Sequence, residues 1–175
     1  MGILCKMLGA IFVMGAAGYF AVTLNHAMDT RKQELRKLYS ILLQLKSEIQ
    51  YMYNPLPESF DKIGKGTNPP FSRWLTDLSI QLNQKDTVSF CEVWNKGLEQ
   101  LYKLSTLEKD DIQPLYDLAD KLGTGDVTAQ MKAIDYALLH IEGNRVTLEG
   151  EISQKKKIIY TLSLFCGAMT LILLL

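Results

Sequence analysis

The sequence predicts an all-α protein: a cytoplasmic helical bundle of about six helices between an N-terminal and a C-terminal transmembrane helix. Three observations predict it. Leu35, Leu38, Leu42, Leu45, Ile49 and Met52 fall at alternating steps of three and four, and Met131, Ile134, Leu138, Ile141, Leu148 and Ile152 make a second seam at helical spacing. No stretch alternates apolar with polar residues as a half-buried strand would. Charge is confined to the middle: all 19 acidic residues, and every one of the 19 basic residues but Lys6, lie between Asp29 and Lys157.

The uncharged ends come first. Residues 7–24 and 158–175, coiled at about 1.5 Å per residue, each reach about 27 Å, close to the ~30 Å hydrocarbon core of a bilayer. The first is rich in small residues, and Ala17/Ala21, like Ser163/Gly167 in the second, form small-xxx-small pairs suited to close helix approach; simple lipid anchoring asks for less. A secretory signal is the competing reading of the first stretch, but its apolar part is long and no A-x-A site follows. Arg31, Lys32, Arg36 and Lys37 follow the first span, and Lys155, Lys156 and Lys157 precede the second. Positive flanks stay in the cytoplasm, so the middle is cytoplasmic and both termini face out. The division is residues 1–25, N-terminal transmembrane helix; 26–157, cytoplasmic bundle; 158–175, C-terminal transmembrane helix.

Within the bundle, the first seam stops at Asn54-Pro55-Leu56-Pro57, where proline forces an extended turn, and Pro57 suits the first turn of a short helix, PESFDKI. GKGTNPP is a loop. A third helix carries Phe71, Trp74, Leu75, Leu78 and Leu82 on one side. Thr87 is the expected cap of a fourth, with Phe90, Trp94, Leu98 and Leu101 inward. Ser105–Glu108 has the form of a capping box for a fifth, with a kink expected at Pro114 and an end at Leu122-Gly123, the glycine in the left-handed conformation. Asp126 caps the last helix, and no proline interrupts 127–175, so one helix is expected to run from bundle to membrane, weakened locally at Gly143 and Gly150. The first and last helices, both long, are expected to run antiparallel.

Chemistry is sparse. The near-even charge balance leaves no footprint for nucleic acid. Cys5, Cys91 and Cys166 are too few and too scattered for a disulfide framework or a zinc site, and read as buried free thiols. Thr23 and Ala137 stand three residues before His26 and His140, where a di-iron bundle needs glutamate. No phosphate loop, GxSxG or HExxH occurs, so no catalytic, cofactor or metal site is assigned. The tyrosines Tyr39, Tyr51, Tyr53, Tyr102, Tyr116 and Tyr136 read as packing. Glu108, Asp110 and Asp111 suit a helix N-terminus; a docking surface for a basic partner is the functional alternative.

EIQYMYNPLPESF, closing the first soluble helix, and LADKLGTGDVTAQMKAI, opening the last, resemble the stage III sporulation protein AB family of endospore-forming Firmicutes. The resemblance covers essentially the whole chain. It implies a first signature of Glu48, Tyr51, Pro55, Pro57 and Glu58 and a second of Leu122, Gly123, Gly125, Asp126 and Gln130. Gly125 departs from the many relatives that have serine or another residue before the aspartate, which loosens that elbow slightly. The family implies a subunit of the export channel between mother cell and forespore, in the mother-cell membrane (the outer forespore membrane). Its soluble domain is similar to the cytoplasmic domains of inner-membrane platform proteins of type II secretion and type IV pilus machines. By that analogy its partners are the cytoplasmic secretion-type ATPase, stage III sporulation protein AA, and other membrane subunits of the channel; oligomerisation is left open. The motif residues read as architectural rather than as direct ATPase contacts, with Glu48, Asp126 and Gln130 expected to form one polar network. The expected role is a non-enzymatic platform coupling ATPase to channel. The alternative is a membrane-anchored sensory module binding a small molecule.

Overall fold

The computed structural model describes residues 27–52, 54–84, 89–124 and 126–174, excepting the side chains of 155–157, 159–160 and 162–174. The first helix, α1, covers 27–47 and passes into a π-helical turn, Glu48–Met52. Then come α2 (Leu56–Lys65), α3 (Phe71–Asn83), α4 (Phe90–Leu104), α5 (Lys109–Leu122) and α6 (Val127–Leu174). No strand occurs among the described residues. The chain divides into two compact units, one of Arg31–Val146, the other of the flanks Met1–Thr30 and Thr147–Leu175.

In the larger unit the α1 seam is core: Leu35, Leu38, Ile41, Leu42, Leu45 and Ile49 are all buried. Met52 is not; it is 58% exposed. The π-helical turn holds one more residue than an α turn, so a residue three places after Ile49 no longer returns to the seam. Packing centres on Trp94 of α4, fully buried against Phe60 of α2 (ring centroids 5.7 Å), edge-on to Trp74 of α3 (5.3 Å) and stacked on Phe90 (5.8 Å). Its indole N–H donates to the Leu115 carbonyl of α5 at 2.8 Å, so a large apolar side chain is buried with no polar penalty. α2 and α3 approach closely at Gly64, where a Cβ would stand 3.1 Å from Thr76 Oγ1 and 3.2 Å from Leu75 Cβ.

α5 buries Ile112, Leu115, Leu118, Ala119 and Leu122, and α6 buries Ile134, Ala137, Leu138 and Ile141, with Met131 only half-buried. α1 and α6 run antiparallel within this unit. Lys46, late in α1, pairs with Asp135, early in α6, while Arg31, early in α1, and Asn144, later in α6, both bond Asp111. α5 continues through Pro114. Proline has no N–H to give the carbonyl four residues before it. Here that carbonyl, of Asp110, accepts a hydrogen bond from the Asn144 side chain at 3.0 Å instead.

Several local expectations are corrected. Gly123 ends α5 with φ −73° and ψ −10°, right-handed rather than left-handed. Its lack of a Cβ serves packing, since a Cβ there would meet Phe90 Cδ1 at 3.3 Å. The capping box of α5 lies three residues later than expected: Glu108 is the N-cap and its N–H donates to Asp111 Oδ2 at 2.9 Å, while Ser105 closes α4. Ser89 stands at the N-cap of α4; Thr87 lies outside the described residues. Tyr51, Tyr102 and Tyr136 are 68%, 48% and 52% exposed, so the tyrosines are not uniformly packing residues; Tyr53 lies outside the described residues.

In the smaller unit Leu148 and Ile152 are buried. The N-terminal stretch 1–25 lies outside the described residues, as do nearly all side chains of 158–175, although the backbone is helical to Leu174. Among the described residues no helix is long and apolar enough to cross a membrane.

Candidate functional site

The first motif is a turn closed by one carboxylate. The π turn directs Glu48 and Ile49 inward and leaves Tyr51 and Met52 exposed. Glu48 Oε1 accepts from Lys62 Nζ of α2 at 2.6 Å, and Oε2 accepts from Asn54 Nδ2 at 2.9 Å. The Lys62 ammonium holds the Glu48 carboxyl below its ordinary range; burial opposes this and the Asn54 amide assists it. Pro55 occupies the N-cap of α2, its carbonyl accepting the Ser59 N–H at 3.1 Å. Pro57, in the first turn, gives up an N–H that has no helical partner anyway. Glu58, also in that turn, is exposed near the positive end of the helix dipole.

The second motif closes a tighter reversal with a side-chain amide and a capping carboxylate. Leu122 is buried, and its carbonyl, left over at the end of α5, accepts from the buried Gln130 side-chain amide at 2.7 Å. Asp126 Oδ1 accepts the Thr128 N–H at 2.9 Å, the N-cap bond of α6. Thr124 Oγ1 donates to the Lys121 carbonyl at 2.8 Å. Gly125 lies outside the described residues. Glu48, Asp126 and Gln130 do not form a common network; each is used within its own turn.

A third cluster escaped the sequence reading. Asp111, fully buried, accepts from Arg31 Nε at 2.7 Å, Arg31 Nη2 at 3.1 Å, Asn144 Nδ2 at 3.1 Å and the Glu108 N–H at 2.9 Å. Arg31 Nη1 also reaches Glu108 Oε1 at 2.5 Å. These bonds satisfy the buried charge, so Asp111 is unavailable for docking, unlike the exposed Glu108 and Asp110. The only local signal was the pair of acids three residues apart at a helix start. The partners, in α1 and α6, carry no motif.

The histidine and cysteine among the described side chains have ordinary surroundings. His140 is exposed beside Tyr136, with ring centroids 4.3 Å apart. Among the described residues no three histidine, cysteine or acidic side chains converge as a metal site. Cys91 Sγ meets Asp120 Oδ1 at 3.3 Å; burial, then that carboxylate, pushes its thiol above the ordinary value, the reverse of an activated nucleophile.

Comparison with known proteins gives consistent matches. The family described as stage III sporulation protein AB (spore_III_AB) matches residues 6–175. Stage III sporulation protein AB of Bacillus subtilis (strain 168) is 28% identical over 169 residues, covering 97% of this chain and 98% of its own. A solved structure of stage III sporulation protein AB (SpoIIIAB) superposes with a TM-score of 0.65 at 27% identity, covering 71% of this chain and 97% of that one.

Proposed function

Since the chain belongs to the stage III sporulation protein AB family, we propose that it is a non-enzymatic platform subunit of the export channel between mother cell and forespore, coupling the cytoplasmic secretion-type ATPase, stage III sporulation protein AA, to the other membrane subunits. Residues 1–25 and 158–175 are its transmembrane helices, in the mother-cell membrane. Residues 26–157 are its cytoplasmic bundle, and both termini face away from the cytoplasm. The relatives are named for a stage of sporulation and not for a reaction.

The observation that carries the reading is the division of labour inside the first motif. Glu48 is spent on Lys62 and Asn54, and Pro55 and Pro57 shape the turn, whereas Tyr51 and Met52 stand 68% and 58% exposed on the same short turn. A burial-driven fold gains nothing from an exposed aromatic beside an exposed methionine; a partner surface does. Gln130, Asp126 and Gly123 serve the elbow, as Glu48 serves the turn.

The test uses the full chain in detergent and the purified ATPase. The double variant Tyr51→Ala/Met52→Ala should keep its melting temperature and bind the ATPase at least about tenfold more weakly, some 1.4 kcal/mol. No measurable binding by the unaltered chain, or equal binding by the variant, counts against the reading. For sidedness, Lys65→Cys on a cysteine-free background should resist an impermeant thiol reagent in intact cells until the membrane is opened. Lys65 suits this because its side chain is 74% exposed.

A further inference from the structure

Between α5 and the start of α6 lies an open groove of about 390 Å³. Its floor is Pro114 and Leu118 from α5 and the half-buried Ala129 and Ala133 from α6. Lys121 rims it from α5 and Lys132 from α6, and neither meets a carboxylate among the described residues. The one carboxylate of the lining, Asp117, accepts from its neighbour Gln113 at 3.3 Å. Tyr136, 52% exposed, closes the lining, and Leu139, seven residues after Lys132 and on the same line of α6, is 73% exposed.

These features define an occupant. Ala129, Ala133, Tyr136 and His140 follow one another at steps of three and four, so this face extends about 16 Å, three turns of a facing helix. Alanines on the floor admit bulky side chains from outside, the pattern of a helix laid in a groove. Lysines on both rims favour carboxylates on both flanks of the incoming helix. A second copy using the same face is disfavoured, because a two-fold contact matches a patch with itself and would bring these lysines against their own counterparts. We propose that the α5–α6 groove is a docking site for an acidic amphipathic helix of a partner protein, with apolar residues three and four apart seated between Lys121 and Lys132. The inference goes beyond the platform reading and rests only on the groove.

The test is fluorescence anisotropy with the full chain in detergent and two labelled helical peptides of about fourteen residues. Both carry leucines on one face; one has glutamates on the flanks and the other lysines. The glutamate peptide should bind at least about tenfold more tightly than the lysine peptide. Lys121→Glu/Lys132→Glu should invert that order, and Ala133→Trp, which fills the floor, should weaken both, with melting temperatures unchanged. Equal binding of the two peptides, a preference that survives the charge reversal, or no binding of the glutamate peptide at millimolar concentration would overturn the proposal. So would concentration-dependent self-association abolished by Ala133→Trp, which would make the occupant a second copy. ATPase binding need not follow either peptide, so failure here and failure of the platform reading are separable.

Discussion

The two ends of the bundle are closed by different means. Where α1 finishes and α6 begins, the bonds that close the two turns are short in sequence: Glu48 bonds residues six and fourteen places away, and Gln130 reaches back eight, while one exposed pair, Lys46–Asp135, spans 89 residues. Where α1 begins, Asp111 bonds Arg31, 80 residues earlier, and Asn144, 33 later. Local closure fixes how the chain turns and leaves side chains such as Tyr51 free to face outward. The long-range clamp fixes which helices lie together around a fully buried carboxylate. An end closed by local bonds can therefore change its exposed side chains without unfastening the bundle.

If that contrast holds, the largest effect belongs to the clamp. Asp111→Ala should lower the unfolding free energy by about 3–5 kcal/mol, because Arg31, its side chain only 15% exposed, loses its buried counter-charge. Denaturant unfolding of the full chain measures this, and a loss below about 1 kcal/mol would erase the distinction between the ends. Glu48→Gln should cost less, about 1.5–3 kcal/mol at neutral pH, since the Lys62 side chain is 59% exposed and water replaces part of the bond. Its pH dependence sharpens the comparison. The folded carboxyl titrates below its ordinary value of 4.5, so the unfolded chain takes up the proton first as pH falls. The stabilisation by Glu48 is complete above about that value and is lost on acidification through the folded pKa. The gap between wild type and Glu48→Gln should close over that interval; a gap that widens on acidification contradicts the assignment.

Smaller effects are expected at the elbow. Asp126→Ala should cost about 0.5–2 kcal/mol as a lost cap, and Asp126→Asn almost nothing, since asparagine caps a helix about as well. Melting temperature and ATPase affinity, measured on the same Asp126→Asn protein, separate architecture from docking: unchanged stability with much weaker binding would make the elbow a contact. The smallest change is Gly123→Ala. With right-handed backbone, alanine gains from lower unfolded-state entropy and loses by pressing on Phe90, so melting should move by the equivalent of about 0.5 kcal/mol or less. A loss of several kcal/mol would restore the left-handed reading.

What the sequence made legible follows the same division. Apolar period and breakers located six helices, and the buried seams of α1 and α6 match their spacing because periodicity is a local property. The Asp126 cap and the Pro55–Pro57 turn are equally local. The π turn was hidden, since an extra residue in one turn changes neither composition nor breakers, and Met52 was consequently placed inside. Gly123 was assigned the commonest use of a glycine after a helix, whereas Phe90, distant in sequence, sets its actual use. The Arg31–Asp111–Asn144 clamp had no signature, because each member alone is an ordinary surface residue type.

Pro114 has a mechanical corollary. By stripping the Asp110 carbonyl of its helical donor, it makes one position on α6 distinguishable from the others, and Asn144 is the side chain that matches. Sliding α6 by one turn, about 5.4 Å, would bring up His140 in place of that amide and would also remove a donor from buried Asp111. The joint behaves as an index pin: the two hydrogen bonds from Asn144 single out one register and resist axial slippage between α5 and α6.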